Sequence, residues 1–327
     1  MKQIVSFLLV LSYMLLVTSA ATAGTNDGVF TGAFLRMGVG ARAMSLGGAF
    51  TAIAAGPEAS YYNPGGMPFI ENHTFLASYR ILSLDRTYSF LGYAQSIRPK
   101  IDPESDEQPF NAGLAVNWIY AGVDHIDGRG LNGESIGEFS NSENSFTLSF
   151  GISPVDFIGI GISGKVLYNR FPKLKEDDSA ITDKSFGMDV GIILKPTSFI
   201  SLGFLIKDIN AKYDWKTDEV WDKDIDKIDH FPQSYRGGIA IKLPDRNVLF
   251  AFDYEDNNQL EGKYHIGIET LPIDRVSVRL GLNNGNFSAG AGYLFNLFGK
   301  TAKIDYAFVT RDYDISSEHV MSWYFIF

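Results

Sequence analysis

From residue 73 to residue 327 the chain repeats one pattern: apolar side chains at every second position over 8 to 14 residues, then a turn. A period of two belongs to a β-strand, because successive side chains point to opposite faces of a pleated sheet. In Ser145 to Ser153, Phe146, Leu148, Phe150 and Ile152 alternate with Ser145, Thr147, Ser149, Gly151 and Ser153. In Phe110 to Tyr120, Phe110, Ala112, Leu114, Val116, Trp118 and Tyr120 stand opposite Asn111, Gly113, Ala115 and Asn117. Similar runs cover 73–81, 87–97, 157–170, 184–195, 199–208, 234–243, 247–254, 263–271, 275–284, 286–296, 301–310 and 319–327, which makes fourteen predicted strands.

From the fourth strand onward the connections alternate between tight and long. The tight ones are Ser153-Pro154-Val155-Asp156, Lys195-Pro196-Thr197-Ser198, Leu243-Pro244-Asp245-Arg246 and Leu271-Pro272-Ile273-Asp274, where Pro presets φ and Asp or Ser bonds to the local backbone. The long, polar ones are Val123 to Asn144, Phe171 to Asp183 and Ile209 to Gln233. Such asymmetric ends suit an all-β, 14-stranded antiparallel transmembrane barrel with its short turns in the periplasm. Arg98 to Pro109 is long for that side and Asn284-Gly285 short for the other. A soluble sandwich also alternates, but two features favour the membrane. Trp118, Tyr120, Tyr168, Tyr235, Tyr254 and Tyr264 gather at one end of the strands and Phe157, Tyr293 and Phe295 at the other, as aromatic girdles do. The last strand places Met321, Trp323, Phe325 and Phe327 on one face, and Trp323, Phe325 and Phe327 have the form of a C-terminal signal for barrel assembly machinery.

The beginning of the chain fits export. Lys2 precedes an apolar run from Ile4 to Val17 and the small residues Ala20, Ala21, Thr22 and Ala23, the layout of a signal peptide over 1–23. That run is 14 residues long, short of the ~20 that span a bilayer as a helix. The expected location is the bacterial outer membrane, both termini periplasmic, with outer-membrane lipid and the assembly machinery as partners. Composition agrees. Charged residues are only 20% of the chain, and 33 Gly, 25 Phe and 16 Tyr give it a barrel-like profile. A net charge of -10 offers no basic footprint for nucleic acid. The absence of Cys excludes disulfides, thiolate metal sites and a Cys nucleophile.

Residues 24–72 do not alternate and are rich in Gly and Ala, so they form a segment separate from the barrel of 73–327. They contain Gly40-Ala41-Arg42-Ala43-Met44-Ser45-Leu46-Gly47-Gly48-Ala49-Phe50 and Ala59-Ser60-Tyr61-Tyr62-Asn63-Pro64-Gly65-Gly66-Met67. This text resembles the N-terminal signature of the PorV/PorQ group of FadL-like outer-membrane proteins: a Gly-Ala-Arg-Ala box, a Gly-Gly-Ala box and Asn-Pro-Ala before the first strand. Gly65 replaces the usual Ala, and Ala55-Gly56-Pro57-Glu58 an Asp-rich turn. The resemblance implies a FadL-like barrel with an N-terminal segment plugging its lumen, and Gly40, Arg42, Gly47, Gly48, Asn63 and Pro64 as plug residues. Physics points the same way. Fourteen strands enclose more space than strand side chains fill, and the predicted inward positions Gly113, Ala115, Ser149, Gly159, Gly161 and Ser163 are small. Arg42, inside such a plug, needs a lumenal carboxylate such as Asp189, Asp253, Glu269 or Asp305.

Other motifs lack context. Gly38-Val39-Gly40-Ala41-Arg42-Ala43 matches a dinucleotide fingerprint without a βαβ unit. Asp222-Lys223-Asp224-Ile225-Asp226 starts like a calcium loop, but Lys227 and Gln233 replace the required Gly and Glu. Asp124-His125 has no nucleophile motif to serve, and the five His are scattered. No cofactor, metal or enzymatic activity is expected. The resemblance implies first a role in type IX-like protein secretion or cell-surface handling of clients, with secretion components or client proteins as partners, and as the alternative FadL-like transport of hydrophobic small molecules.

Overall fold

A computed structural model describes residues 30–98, 110–173, 180–215, 227–243, 246–311 and 317–327. The expected signal peptide and the acidic run 222–226 lie outside the described residues, as does 99–109 of the long connection. The first described part, which we call the inner segment, is short-turned: 3-10 turns at Ala33–Arg36, Gly56–Glu58 and Pro64–Phe69, and helices α1 (Ala41–Ser45) and α2 (Ala59–Tyr62). Sixteen strands follow: β1 Thr74–Ile81, β2 Arg86–Ile97, β3 Asn111–Arg129, β4 Ser135–Val155, β5 Ile158–Lys173, β6 Ala180–Leu194, β7 Ile200–Ile209, β8 Lys212–Trp215, β9 Lys227–His230, β10 Ser234–Leu243, β11 Val248–Asn257, β12 Lys263–Ile273, β13 Val276–Asn283, β14 Asn286–Leu297, β15 Lys300–Val309 and β16 Glu318–Ile326. Fourteen of them, all but β8 and β9, form a closed antiparallel barrel in chain order. It closes where β1 meets β16, from Thr74 opposite Ile326 to Ile81 opposite His319.

The barrel is inverted relative to a soluble protein. On β4, Phe146, Leu148 and Phe150 are 52%, 57% and 43% exposed, while Ser145, Thr147 and Ser149 between them are buried. The same alternation on β5 turns Ile160, Ile162 and Val166 outward and Ser163 and Lys165 inward. A continuous band of exposed aliphatic and aromatic side chains is stable only against an apolar solvent. Closure satisfies every strand's backbone with a neighbouring strand, as hydrocarbon surroundings demand.

Two long connections differ from the sequence expectation. Val123 to Asn144, read as a loop, is mostly strand: β3 and β4 stay paired past a bulge between Val123 and Ile126 as far as Arg129 opposite Ser135. His125 sits in that bulge at φ +55°. The few apolar residues of this extension, Ile126, Ile136 and Phe139, do not fall at every second position, so no alternation betrays it. Within Ile209 to Gln233, β8 and β9 pair with each other outside the barrel sheet. Their hairpin folds inward, burying Tyr213 and Phe231 in the cluster formed by the inner segment. The short Asn284-Gly285 connection is a two-residue hairpin turn, with φ of +46° and +94° at its two residues, the left-handed pair that matches strand twist.

Candidate functional site

The inner segment lies within the barrel and touches wall strands all round it; from Ala41 to Met67 the backbone contacts shift from the last strands toward β3. The amide of Ala41 donates to Ser322 of β16 (2.8 Å) and that of Gly47 to Ser288 of β14 (3.1 Å). Phe50 and Thr51 donate their amides to Asp253 of β11 at 3.0 and 2.9 Å. Asn63 reaches β6 through its amide, donating to the Ile192 carbonyl at 3.1 Å. Ser163 of β5 donates to the Ser60 carbonyl at 3.1 Å. Last, a methyl at Gly113 of β3 would sit 2.1 Å from the Met67 carbonyl oxygen. Small inward residues are what allow this approach: a methyl at Gly159 or Gly161 would sit 2.2 or 2.1 Å from the carbonyl oxygens of Gly65 or Pro64.

The motif residues have distinct places in this belt. Gly40, at φ +74°, precedes α1. Gly47, at φ +65°, lies so near β13 that a methyl there would stand 2.3 Å from the Leu282 carbonyl oxygen. Gly48 offers its carbonyl to Arg236 (2.9 Å). Asn63 ties three stretches together, donating to the carbonyls of Thr51 (2.9 Å) and Ile192 and accepting from the Gly65 amide (2.9 Å), which caps the turn opened by Pro64. Arg42 forms a bidentate pair with Glu269 of β12, Nε to Oε2 at 3.0 Å and Nη2 to Oε1 at 2.9 Å. Of the four carboxylates that it could meet, Asp189 binds Lys165 (2.7 Å), Asp253 pairs with Arg236 (3.3 Å), and Asp305 binds Arg279 and Lys303 at 3.0 and 2.6 Å. Trp323 and Phe325 of β16 and the following Phe327 take no part in the lumen. They line the outer face, where Phe325 neighbours Phe75 at 6.4 Å between ring centroids, and the Phe327 amide donates to the His73 backbone carbonyl (2.9 Å).

The wall presents two chemistries to the inner segment. Along β10 to β15 it is ionic. Glu269 also accepts from Arg279 (2.5 Å), so Arg42, Glu269, Arg279, Asp305 and Lys303 form one chain of alternating charges. Pairing at this depth offsets the desolvation of each ion. Along β1 to β3 the wall is apolar: Leu76, Tyr88, Phe90 and Ile119 pack with Phe34, Leu35, Tyr61 and Tyr62 of the inner segment. Ion clusters border this apolar part. Arg80 pairs with Glu318 and donates to the Met37 carbonyl (2.6 Å), and Lys165 lies between Asp189 and Asp208. Buried Glu58 in the inner segment accepts a hydrogen bond from the Tyr324 hydroxyl, and burial pushes its carboxyl above the usual carboxylate range.

Sequence reasoning named the lumenal carboxylates but missed their cations, Lys165, Arg236 and Arg279, and the Arg80–Glu318 pair. A signal existed: each cation occupies an inward position of an alternating strand, as Arg279 does between Val278 and Leu280. Among the described residues no group of three or more His, Asp or Glu side chains could hold a metal.

No family model and no curated protein matches the chain. Solved structures do. A CymD monoaromatic hydrocarbon channel is 14% identical, with a TM-score of 0.58 over 88% of this chain and 97% of that one. A TodX deltaS2S3 mutant monoaromatic hydrocarbon channel is 13% identical, with a TM-score of 0.55 over 88% and 98%. A Pseudomonas aeruginosa FadL homologue is 11% identical, with a TM-score of 0.54 over 88% and 98%. At such identities the likeness is one of fold, and the fold is FadL-like: fourteen antiparallel strands closed into a barrel, with an N-terminal helical segment before them.

Proposed function

We propose that the protein is a non-enzymatic outer-membrane barrel that admits small hydrophobic molecules, with both termini in the periplasm and the inner segment as its plug. The observation that carries this reading is the two-sided lumen. An ion-paired wall holds one side of the plug, while the other side, against β1 to β3, packs through the apolar side chains Leu76, Tyr88, Phe90 and Ile119, with hydrogen bonds from Arg80, Tyr88 and Asn117 at its edges. Apolar contacts are non-directional, so a small apolar molecule can replace them at little cost, whereas no such molecule can replace the Arg42–Glu269 pair. The neighbouring structures described as hydrocarbon channels support the same choice.

Uptake of a labelled monoaromatic hydrocarbon tests it. Cells carrying the protein in the outer membrane should accumulate toluene faster than cells without it, while small-ion conductance in planar bilayers stays low. Equal uptake refutes the reading, and a large steady conductance would make the protein a diffusion porin instead. Handling of secreted clients, the other role implied by the PorV/PorQ resemblance, draws support from the boxes at Gly40 to Gly48 and Asn63 to Met67. Gene neighbours encoding type IX secretion components would favour it over uptake.

A further inference from the structure

A cavity of about 50 Å³ lies between the inner segment and β7, β10, β11 and β12, and Tyr61, Lys207, Arg236, Glu255 and His265 line it. By the room one water needs, roughly 10–15 Å³, it holds three or four waters or one small anion. Its walls are unlike the hydrocarbon-compatible side of the lumen, and its charges do not all close on themselves.

Lys207 is the group that stands out. Its residue is 8% exposed, and among the described residues its ammonium forms no ion pair. It donates to the Leu35 carbonyl (2.9 Å) and lies 3.4 Å from the Tyr61 ring centroid, which leaves two of its three N–H donors unused. The carboxylates around it are committed elsewhere. Asp208 and Asp189 bind Lys165, Asp253 takes the Phe50 and Thr51 amides and Arg236, and Glu255 stands 3.4 Å from His265. Arg236 donates Nη2 to Gly48, but its Nη1 is 3.8 Å from Glu255, too far for a hydrogen bond. Two cations with unused donors thus border one cavity: Arg236 is balanced by Asp253, whereas among the described residues the Lys207 charge has no ion-pair partner, in surroundings where that is costly.

We propose that this cavity binds a small carboxylate, which the Lys207 ammonium and the Arg236 guanidinium hold where the inner segment meets β7 and β10. A carboxylate brings two acceptor oxygens to the two cations that line the cavity, and the room excludes any sizeable tail. Lys207 and Arg236 also bond to Leu35 and Gly48 of the inner segment, so the bound anion strengthens the attachment of that segment to the wall. The site goes beyond the uptake of apolar molecules and does not depend on it.

Isothermal titration calorimetry of the full chain in detergent tests the site, with sodium acetate as probe and sodium chloride matching the ionic strength. Saturable acetate binding is expected. Lys207→Gln should weaken it by about tenfold or more, since it deletes one charged partner, and Lys207→Arg should largely keep it. Ser234→Leu fills the cavity without removing a charge and should abolish binding, which provides a test even if Lys207→Gln does not fold. Lys242→Gln, on the exposed end of β10, should bind as the parent does. Absence of saturable binding overturns the proposal. So does undiminished binding in Lys207→Gln or Ser234→Leu. Phosphate binding in preference to acetate overturns the assignment to a carboxylate.

Discussion

Gly161 and Gly164 are three residues apart on β5 and face opposite ways, so one substitution can be placed against the inner segment or away from it. At Gly161 a methyl carbon would lie 2.1 Å from the Pro64 carbonyl oxygen and 2.3 Å from its carbon. At Gly164 the nearest atoms are ring carbons of Phe186 at 3.5 Å, an ordinary contact. Restoring even 3.0 Å at Gly161 means moving the backbone at Pro64 by 0.9 Å, and that backbone is held by Asn63 on both sides. Overpacking of this kind costs about 1–3 kcal/mol. Gly164→Ala, which only removes unfolded-chain freedom, should stabilise by about 0.5–1 kcal/mol. That unfolded-chain gain is common to both substitutions, so the two variants should differ by the overpacking alone, about 1–3 kcal/mol, or roughly 5- to 160-fold in the equilibrium between seated and unseated segment. Planar-bilayer recordings read this directly: Gly161→Ala should show openings that Gly164→Ala and the parent lack, and it should melt at lower temperature in detergent. Matching traces and melting curves for the two variants would refute the claim that the inner segment is packed against β5.

Arg42→Met should cost about 2–3 kcal/mol, the value of charge-assisted hydrogen bonds in a buried pair whose partner Glu269 keeps Arg279, and should produce intermittent conductance; a silent trace with unchanged melting counts against the latch. Glu58→Gln should stabilise the protein more at pH 8 than at pH 5. Because burial raises the Glu58 carboxyl, its stability is full below the unfolded pKa and is lost as pH rises through the folded one, so a variant-minus-parent difference in melting temperature that does not grow with pH disproves this. Phe231→Ala removes a ring packed 4.9 Å from Tyr213 and should speed proteolysis between β8 and β9, while equal cleavage rates would show that the hairpin is not anchored there. Deleting Phe327 should lower the amount of assembled barrel if its ring completes the assembly signal, and normal outer-membrane levels would exclude that role.

The fourteen barrel strands are legible in the sequence because their two faces differ so sharply: Phe146, Leu148 and Phe150 can only belong outside if Ser145, Thr147 and Ser149 are inside. Where that contrast fades, legibility ends. The outer parts of β3 and β4 carry Asp124, Asp127, Glu138 and Ser140 and read as loop although their backbones pair. The hairpin of β8 and β9 is hidden for another reason, since Tyr213 and Phe231 sit within polar text and their partners are the inner segment, far away in sequence. That Arg42 needs a carboxylate follows from chemistry, but which one depends on the stagger between strands. Glu269, Asp253 and Asp305 differ in height and azimuth on the wall, and no local pattern records either.

The reverse order in which the inner segment meets the wall bears on how the chain can assemble. Residues 60 to 67 meet β3 to β7, in the first half of the barrel strands. Residues 50 and 51 wait for β11, and residues 41 to 47 for β12, β14 and β16. With residues 60 to 67 already held, the loop left for residues 50 and 51 to close onto β11, and then for 41 to 47, is shorter than the 281 residues that separate Ala41 from Ser322. Loop-closure entropy makes this stepwise path cheaper than threading a finished barrel. Seating of residues 41 to 47 thus depends on the last strands, beside the seam where β1 meets β16, so the stretch that carries Arg42 can be complete only in a closed barrel.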